Sequence, residues 1–243
     1  MLRGGYSEVV ARPTSRRRVA WLRQYTAALL GRDVRDIATI EKLEQLPQLL
    51  RALAQMAGKL INLNQLAGQL LLDHKTAAKY VAVLEQLFLI RRLQPWLPNR
   101  LSRIVKTPKL HFVDSALLAQ LRGTTVASLQ RDRMAFGPLL ESYVVSELMK
   151  LTSWSEGDLQ LLSYRDRDQH EVDVVIENSA GHVVGIEVKA KASVQGRDLA
   201  GLCKLADLAG DQFVAGLLLY DGTEILPMGP ALWAVPIASL WQV

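Results

Sequence analysis

The chain of 243 residues is long enough for one large domain or two smaller ones. Hydrophobic residues make up 49% and charged residues 22%, which is typical of a globular protein and excludes long disorder. Apolar runs such as residues 214–220 are far shorter than the roughly 20 residues of a membrane span, so we expect no membrane partner. The single cysteine, Cys203, precludes an internal disulfide and indicates the reducing cytoplasm.

The net charge of +5 is unevenly distributed along the chain. Residues 1–125 contain 20 lysines and arginines against 8 acidic residues, whereas residues 126–243 contain 9 against 16. Such asymmetry indicates two modules with different partners, which we place at 1–125 and 126–243. The basic module could bind a polyanion or simply dock on the acidic module. Nucleic acid is the commoner partner of such a basic surface.

Helical periodicity dominates the basic module. Apolar residues at three- and four-residue spacings predict helices over residues 15–53, with a break at Gly31 and a resumption at Ile37 and Ile40. Short helices follow, and the last of them, residues 74–88, is predicted to be capped by Asp73. A strand-like run at 89–93, a turn at 95–99 and a second run at 109–113 come next. Three helices and a two-stranded hairpin predict a winged helix-turn-helix.

A winged helix would place the helix at 74–88 where a major groove is read, with a basic hairpin beside it. The candidate phosphate contacts are the cations of this helix and hairpin: Lys75, Lys79, Arg91, Arg92, Arg100, Arg103, Lys106 and, in the second strand, Lys109. Contacts of this kind give an affinity that falls steeply with salt, and none of them predicts base-specific recognition. The alternative is a winged helix that serves only for packing or for docking to protein.

The acidic module predicts an alternation of helices and strands. A helix begins near Pro138 and runs to about Leu151. Strand patterns follow at residues 159–164, 171–177, 183–191 and 213–220, with a helix at 196–208 before the last of them. The order α-β-β-β-α-β predicts an α/β domain, so that the whole chain is α+β.

Strand alternation in this module gathers charged residues. It predicts that Asp173 faces away from Val172 and Val174, and that Glu187 and Lys189 share one face of the next strand. A short turn joins these strands, so the three charged side chains are expected to lie side by side. A fourth candidate, Glu141, lies on the preceding helix.

Carboxylates that lie together repel one another, and a divalent cation is the usual resolution. We expect Asp173 and Glu187 to bind Mg²⁺ or Mn²⁺, which prefer oxygen ligands, polarise phosphate and lower the pKa of bound water. Lys189 could orient that water or stabilise developing negative charge, and Glu141 could hold the metal's water shell or accept a proton. The alternative is an ordinary cross-strand salt bridge. The histidines show no metal-ligand spacing: His74, His111, His170 and His182.

Glu141, Asp173 and Glu187-x-Lys189 resemble the catalytic signature of the PD-(D/E)XK nuclease superfamily, whose core has the same α-β-β-β-α-β order. Nearly the whole chain resembles the uncharacterised C-terminal domain of prokaryotic predicted ATPases of the AAA+ superfamily. The motifs include Gly4-Gly5-Tyr6, Thr76-x-x-x-Tyr80, Pro108-Lys109-Leu110-x-Phe112-x-Asp114 and Glu171-Val172-Asp173. The chain departs from the pattern at Ser115-Ala116, and at Gln169-His170, where a turn glycine is usual.

The second resemblance implies an ATPase module ahead of Gly4-Gly5-Tyr6. The sequence contains no Gly-x-x-x-x-Gly-Lys-[Ser/Thr] motif, so we expect no nucleotide-binding site in this chain and an ATPase partner either in cis or in trans. Two functions stay open, beside a third possibility that the chain is a degraded fragment with no independent function. The chain could be a DNA-associated protein with a metal-dependent phosphodiesterase site, or a non-catalytic DNA- or protein-binding module that serves an ATPase.

Overall fold

The computed structural model describes residues 1–34, 43–103, 106–132 and 136–242. Ile37 and Ile40, the predicted continuation of the first helical pattern, lie outside the described residues. The chain forms two compact units, one of Met1–Arg92 with Lys109–Tyr143 and one of Leu93–Pro108 with Val144–Val243. Across the described ranges, no helix is both long and apolar enough to cross a membrane.

The described residues contain both helices and strands, which confirms the predicted α/β class. The helices are α1 (Ser7–Val10), α2 (Ser15–Ala28), α3 (Leu46–Gln55), α4 (Leu63–Gln69), α5 (His74–Gln86), α6 (Arg100–Arg103), α7 (Ser115–Arg122), α8 (Val126–Arg131), α9 (Gly137–Trp154) and α10 (Ala200–Ala209). The strands are β1 (Ile90–Pro95), β2 (Lys109–Phe112), β3 (Leu159–Arg165), β4 (Glu171–Asn178), β5 (Val183–Lys189), β6 (Phe213–Tyr220), β7 (Leu226–Gly229) and β8 (Leu232–Pro236).

The first unit is built on leucine-rich helices that bury their apolar faces together. Leu53 of α3, Leu66 of α4 and Leu84 of α5 are all fully buried in one core. The predicted cap of α5 is confirmed, because Asp73 Oδ1 accepts a hydrogen bond of 2.9 Å from the Thr76 N–H. The unit therefore presents helices α3, α4 and α5 followed by strand residues, in the order expected from the sequence.

The second unit is built on a mixed sheet in the order β1-β3-β4-β5-β6-β8-β7. Strands β3, β4 and β5 are antiparallel neighbours, whereas β6 runs parallel to β5 and β8 runs parallel to β6. The four predicted strands are β3 to β6, and they follow α9 with α10 before β6. The hairpin of β7 and β8 is a feature that the sequence does not predict.

Helix α10 packs closely on the middle of this sheet. A Cβ atom at Gly201 would lie 1.9 Å from the carbonyl oxygen of Glu171, so the first turn of the helix needs glycine to approach β4. Leu202 and Leu205 of α10 pack over Gly185 of β5. This packing places the start of α10 beside the two strands that carry the predicted site residues.

The compact units are divided differently from the modules 1–125 and 126–243. Residues 93–108 belong to the second unit, because Gln94 pairs in parallel with Leu162 and Arg103 bonds to Glu177. The turn predicted at residues 95–99 is followed by the short helix α6. The first part of α9, up to Tyr143, belongs to the first unit.

Candidate functional site

Strands β4 and β5 of the second unit bring Asp173, Glu187 and Lys189 together. Glu187 Oε2 accepts a hydrogen bond of 3.3 Å from the Asp173 N–H, and Asp173 Oδ2 accepts one of 2.9 Å from the Val188 N–H. The Lys189 ammonium donates to Glu187 Oε1 at 2.5 Å. Each carboxylate is thus held by the backbone of the opposite strand, which fixes the two acids beside each other.

The two carboxylates are buried and the lysine is more open. Asp173 and Glu187 are 7% and 6% exposed, whereas 35% of the Lys189 side chain is exposed. Buried charge of one sign is costly unless it is paired, so this cluster needs its lysine or another cation. The exposure of Lys189 leaves its ammonium accessible to a molecule in solution.

A β-bulge at Asp173 breaks the strict alternation that the sequence predicts for β4. Leu162 of β3 pairs with Val175, whereas Tyr164 pairs with Val172, so β4 has one more residue than β3 between these pairs. Val172 and Val175 consequently both pack into the core of the second unit. The prediction that Val172 and Val174 share the face opposite Asp173 is therefore wrong, and the bulge sets the position of Asp173.

Two residues that the sequence analysis does not single out extend the charged cluster. Asp198 Oδ2 accepts hydrogen bonds from Lys191 Nζ at 2.6 Å and from the Gln195 N–H at 2.8 Å. Burial raises the pKa of Asp198, but these hydrogen bonds and the charges of Lys191 and Lys189 more than offset it and lower the pKa. Gln195-x-x-Asp198, a capping pattern, is the sequence signal that points to this residue.

Three acidic residues together raise the pKa of Lys189. Burial lowers this pKa, but the hydrogen bond to Glu187 and the charges of Glu187, Asp173 and Asp198 raise it above the ordinary lysine value. Lys189 is therefore the cation of a site that contains an excess of carboxylates.

The donor atoms of this cluster fit a hard divalent cation. Mg²⁺ and Mn²⁺ prefer carboxylate oxygens, commonly bind one or two of them, and complete their shell with water and phosphate. Asp173 and Glu187 supply such a pair of carboxylates on adjacent strands. These two residues could hold the predicted metal.

Glu141 lies in the first unit, where its described partners are basic residues. Its Oε1 is 2.6 Å from Lys109 Nζ and 3.6 Å from His111 Nε2. Gly58, with φ of +75°, lies against the same carboxylate, and a Cβ there would be 3.0 Å from Glu141 Oε2. Lys109 and His111 are buried, so Glu141 supplies the negative charge that a buried lysine requires.

The predicted DNA-binding cations fall into two groups by exposure. Five are exposed: Lys75, Lys79 and Arg91 in the first unit, and Arg100 and Lys106 in the second. Arg92 is half-buried, and its guanidinium bonds to Glu85 at 2.6 Å. The five are open to phosphate from solution, although Arg100 also lies 3.9 Å from Glu177, whereas Arg92 is neutralised by an acid of its own unit.

Arg103 and Lys109 are buried, and their prediction as phosphate contacts is wrong. Arg103 forms two hydrogen bonds to the Glu177 carboxylate, of 2.5 and 2.9 Å, and its guanidinium lies over the Trp96 ring. Lys109 is only 2% exposed and pairs with Glu141. If such a cation turned towards a phosphate, its acidic partner would stay buried without a compensating charge. That cost in free energy disfavours phosphate binding by Arg103 and Lys109.

The turn between β3 and β4 groups three potential metal ligands that sequence spacing did not suggest. Asp166, Asp168 and His170 place one ligand atom each within 4.8 Å of the others, the only such group of three or more acidic, histidine or cysteine residues in the described ranges. His170 Nδ1 lies 2.8 Å from Asp166 Oδ2, so the pair also stabilises the turn without a metal. The sequence signal is the alternate spacing Asp-x-Asp-x-His.

Comparisons with known proteins match two families, one in each part of the chain. Residues 1–128 match the family described as "Domain of unknown function (DUF8612)", and residues 136–240 match "Domain of unknown function (DUF4143)", which is typically associated with AAA ATPases. For residues 136–240, this match supports the resemblance to a domain associated with ATPases.

Two curated relatives extend along almost the whole chain. Uncharacterised proteins of Mycobacterium bovis and Mycobacterium tuberculosis are each 26% identical over 235 residues, which cover 97% of this chain and 51% of theirs. The chain spans about half the length of these relatives. No solved structure matches it. Since the first family model covers more than half of the residues, the chain belongs to the DUF8612 family of domains of unknown function.

Proposed function

We propose that this chain is a DNA-associated protein whose second unit hydrolyses phosphodiester bonds with the help of Mg²⁺ or Mn²⁺. The observation that carries the proposal is the fixed cluster of Asp173, Glu187 and Lys189 on adjacent strands. Two buried carboxylates lie beside a partly exposed lysine. Together they form an oxygen-rich site with one ammonium group hydrogen-bonded to it. The order α9-β3-β4-β5-α10-β6 supports a nuclease-like core, in line with the resemblance of these residues to the PD-(D/E)XK signature.

Each residue of the cluster has a role that its placement supports. Asp173 and Glu187 would hold the metal, which when bound polarises the phosphate and lowers the pKa of a water molecule. Lys189 now donates to Glu187, and a cation that shares this carboxylate would weaken that bond. The ammonium can then donate to a phosphate oxygen and stabilise the negative charge that develops there.

Glu141 is not needed for this assignment. Its described partners, Lys109 and His111, belong to the first unit, and its charge balances the buried lysine. We therefore assign Glu141 a structural role first. Assistance to the attacking water stays a prediction, which the Glu141→Gln variant would test through the pH dependence of cleavage.

DNA would be held by exposed cations rather than by the whole predicted set. Lys75 and Lys79 lie on the exposed side of α5, the helix that a winged helix-turn-helix places in the major groove. Arg91 follows at the start of β1 and is also exposed. The match to a domain associated with AAA ATPases further supports a partner that supplies ATP hydrolysis, in cis or in trans.

A cleavage assay on linear, nicked and branched DNA tests the enzymatic proposal. We expect cleavage that needs Mg²⁺ or Mn²⁺, stops with EDTA, and falls by about 100-fold or more in Glu187→Gln and in Asp173→Asn. Glu156→Gln, an exposed acid of the same unit, is the matched control and should cleave like the wild type. Absence of metal-dependent cleavage, or equal activity in Glu187→Gln, would contradict the proposal.

A non-catalytic module that binds DNA or protein for an ATPase is the second candidate. It is favoured by the hydrogen bonds that already engage Asp173 and Glu187 within the protein, including the Lys189 contact. This candidate predicts no heat of Mn²⁺ binding in calorimetry and unchanged DNA affinity in Glu187→Gln. Metal binding that disappears in Glu187→Gln but persists in Glu156→Gln would exclude it.

A further inference from the structure

A groove of about 460 Å³ lies in the first unit, beside the start of α2. Its walls are Arg12 and Pro13 of the preceding turn and, from the helix, Arg17, Ala20, Trp21 and Gln24. The helical residues follow at spacings of three and four, so they belong to one face of α2. The groove therefore presents two arginines and an aromatic ring, and the Arg12 guanidinium lies 5.9 Å from the centroid of the Trp21 ring.

Backbone and aromatic contacts hold the walls of the groove, in addition to the contacts of the Arg12 guanidinium with Glu8 and with the Trp21 ring. Arg18 Nε donates to the carbonyl oxygen of Arg12 at 3.0 Å and its Nη2 donates to that of Pro13 at 3.1 Å. The Trp21 ring stacks on Tyr25 with centroids 4.8 Å apart and an interplanar angle of 11°. The groove is thus formed before any ligand enters, which lowers the entropic cost of binding.

The charge around the groove is strongly positive. Residues 1–34 contain seven arginines, no lysine and only two acidic residues. Arg12 pairs with Glu8 at 3.3 Å, whereas Arg16, Arg17 and Arg23 are exposed and have no recorded acidic partner among the described residues. Exposed like charges without partners repel one another, so this surface favours an anion.

The fold does not require these arginines. The first turn of α2 contains Arg16, Arg17 and Arg18 and no acidic residue. Positive charge at the start of a helix opposes the helix dipole and destabilises the helix. Arg18 offsets its cost through the hydrogen bonds to the turn, but nothing in the described structure offsets that of Arg16 and Arg17. Because Arg16 and Arg17 destabilise the start of α2, their presence indicates a role in binding.

The chemistry of the surface points to a chain of phosphates. The guanidinium group matches phosphate oxygens with two parallel hydrogen bonds, which a row of arginines can repeat along a backbone. A membrane surface is disfavoured, because binding to lipid needs large apolar side chains opposite the basic ones. The exposed large apolar residues of the first unit are Val10, Leu71, Phe88 and Val126, and none of them belongs to α2.

From the groove, the unpaired arginines and the absence of apolar anchors on α2, we propose that this face binds the phosphate backbone of a nucleic acid. Arg12 and Arg17 contact a phosphate in the groove, and Arg16 and Arg23 contact the neighbouring phosphates. This surface is separate from Lys75, Lys79 and Arg91, and it does not depend on the cleavage site of the second unit.

The test is fluorescence anisotropy of the whole chain with labelled single-stranded and duplex DNA, in EDTA and over a range of KCl concentrations. Arg16→Glu/Arg17→Glu is expected to lower the affinity about tenfold or more near 0.1 M KCl. The slope of log K against log salt should fall by about 2, since two phosphate contacts are lost. Single-stranded and duplex DNA distinguish the two sources of the same backbone, and loss with either one supports the proposal.

The matched control is Arg51→Glu/Lys59→Glu, which makes the same charge change at exposed residues of the same unit. It should change the affinity by less than about threefold and leave the salt slope unchanged. Because glutamate in a first helical turn is favourable, Arg16→Glu/Arg17→Glu should not lower the melting temperature, which separates lost binding from unfolding. Equal losses in both double variants, or poly-glutamate that competes as well as DNA, would overturn the proposal.

The variant Lys75→Glu/Lys79→Glu distinguishes this inference from the proposed function. If this variant loses DNA while Arg16→Glu/Arg17→Glu does not, the α2 surface is refuted and the α5 surface stands. The reverse result establishes the α2 surface alone. A wild-type chain that binds neither form of DNA refutes both.

Discussion

The two units each contain a lysine–glutamate pair of almost the same length, in very different surroundings. In the first unit Lys109 Nζ lies 2.6 Å from Glu141 Oε1, and the lysine side chain is 2% exposed. In the second unit Lys189 Nζ lies 2.5 Å from Glu187 Oε1, and 35% of the lysine side chain is exposed. The distance between the charged atoms therefore does not distinguish the two pairs.

What distinguishes them is the balance of charge and the access of solvent. Glu141 faces a buried lysine and a buried histidine, so the first pair is closed and rich in basic groups. Glu187 lies against a second carboxylate, Asp173, and a lysine that solvent can reach. A closed pair serves stability, because each charge neutralises the other out of water. In an open pair with an excess of acid, a metal ion can replace the lysine beside the carboxylates, and the released ammonium can then bind a phosphate.

Removal of the buried lysine should have the largest effect. Lys109→Met removes the buried lysine that balances the largely buried Glu141 carboxylate, and breaking such a pair typically costs 3–5 kcal/mol. We expect the free energy of unfolding in urea, followed by circular dichroism, to fall by about that amount.

The double variant Lys109→Met/Glu141→Gln provides the control. It removes both charges and should recover most of the lost stability, because a neutral pair leaves no charge uncompensated. A single variant within about 1 kcal/mol of the wild type would show that the two pairs do not differ as their burial suggests.

Removal of the open lysine should affect chemistry more than stability. In excess Mg²⁺, which can replace the lysine as the cation of the cluster, Lys189→Met is expected to lower the free energy of unfolding by less than Lys109→Met does, since a partly exposed ion pair contributes little. Cleavage in a single turnover should fall about 100-fold or more, because the cation that stabilises developing charge is lost. Calorimetry should still detect metal binding at Asp173 and Glu187.

The inverse outcome would remove the distinction between the two pairs. If Lys189→Met unfolds the chain as readily as Lys109→Met does, the second pair is structural and the catalytic assignment fails. Glu156→Gln again serves as the unaffected control of cleavage.

The class of the fold follows from the sequence because the strands are strongly patterned. Residues 171–177 and 213–220 are apolar runs bounded by turns, and they form β4 and β6 within one residue of the predicted ends. Strands β7 and β8 are short and contain proline or glycine, which weakens their signal. The parallel pairing of Gln94 with Leu162 joins residues far apart in the chain, and local pattern carries no information on it.

The candidate site could be predicted only in part. Spacing and alternation place Glu187 and Lys189 correctly, but the bulge at Asp173 depends on how β3 pairs with β4. Arg103 and Lys109 look like surface cations, because a charged side chain in a loop or short strand is usually solvated. Their burial is decided by distant acids, Glu177 being 74 residues from Arg103.

The response to alkaline pH gives a smaller difference between wild type and variant. Attraction from Glu187, Asp173 and Asp198 outweighs burial and raises the pKa of Lys189 in the folded chain. The charged lysine therefore stabilises the folded state fully below the ordinary lysine pKa, and this contribution is lost as pH rises through the raised value. Urea unfolding followed from pH 9 upward past the ordinary lysine pKa of 10.5 should show a loss that is smaller in Lys189→Met. An identical alkaline slope in both proteins would contradict the raised pKa.

The smallest effect is expected at a third pair, which sharpens the comparison because it repeats the same distance on an open helix surface. Lys150 Nζ lies 2.6 Å from Glu147 Oε1 within α9, and 45% of the lysine side chain is exposed. Water screens this pair, and alanine is a better helix former than lysine, so Lys150→Ala should change the free energy of unfolding by less than about 0.5 kcal/mol. Urea unfolding beside Lys109→Met measures both variants on one scale. A loss above 1 kcal/mol in Lys150→Ala would mean that pair length, rather than burial, sets the energy, and the contrast between Lys109 and Lys189 would then lose its physical basis.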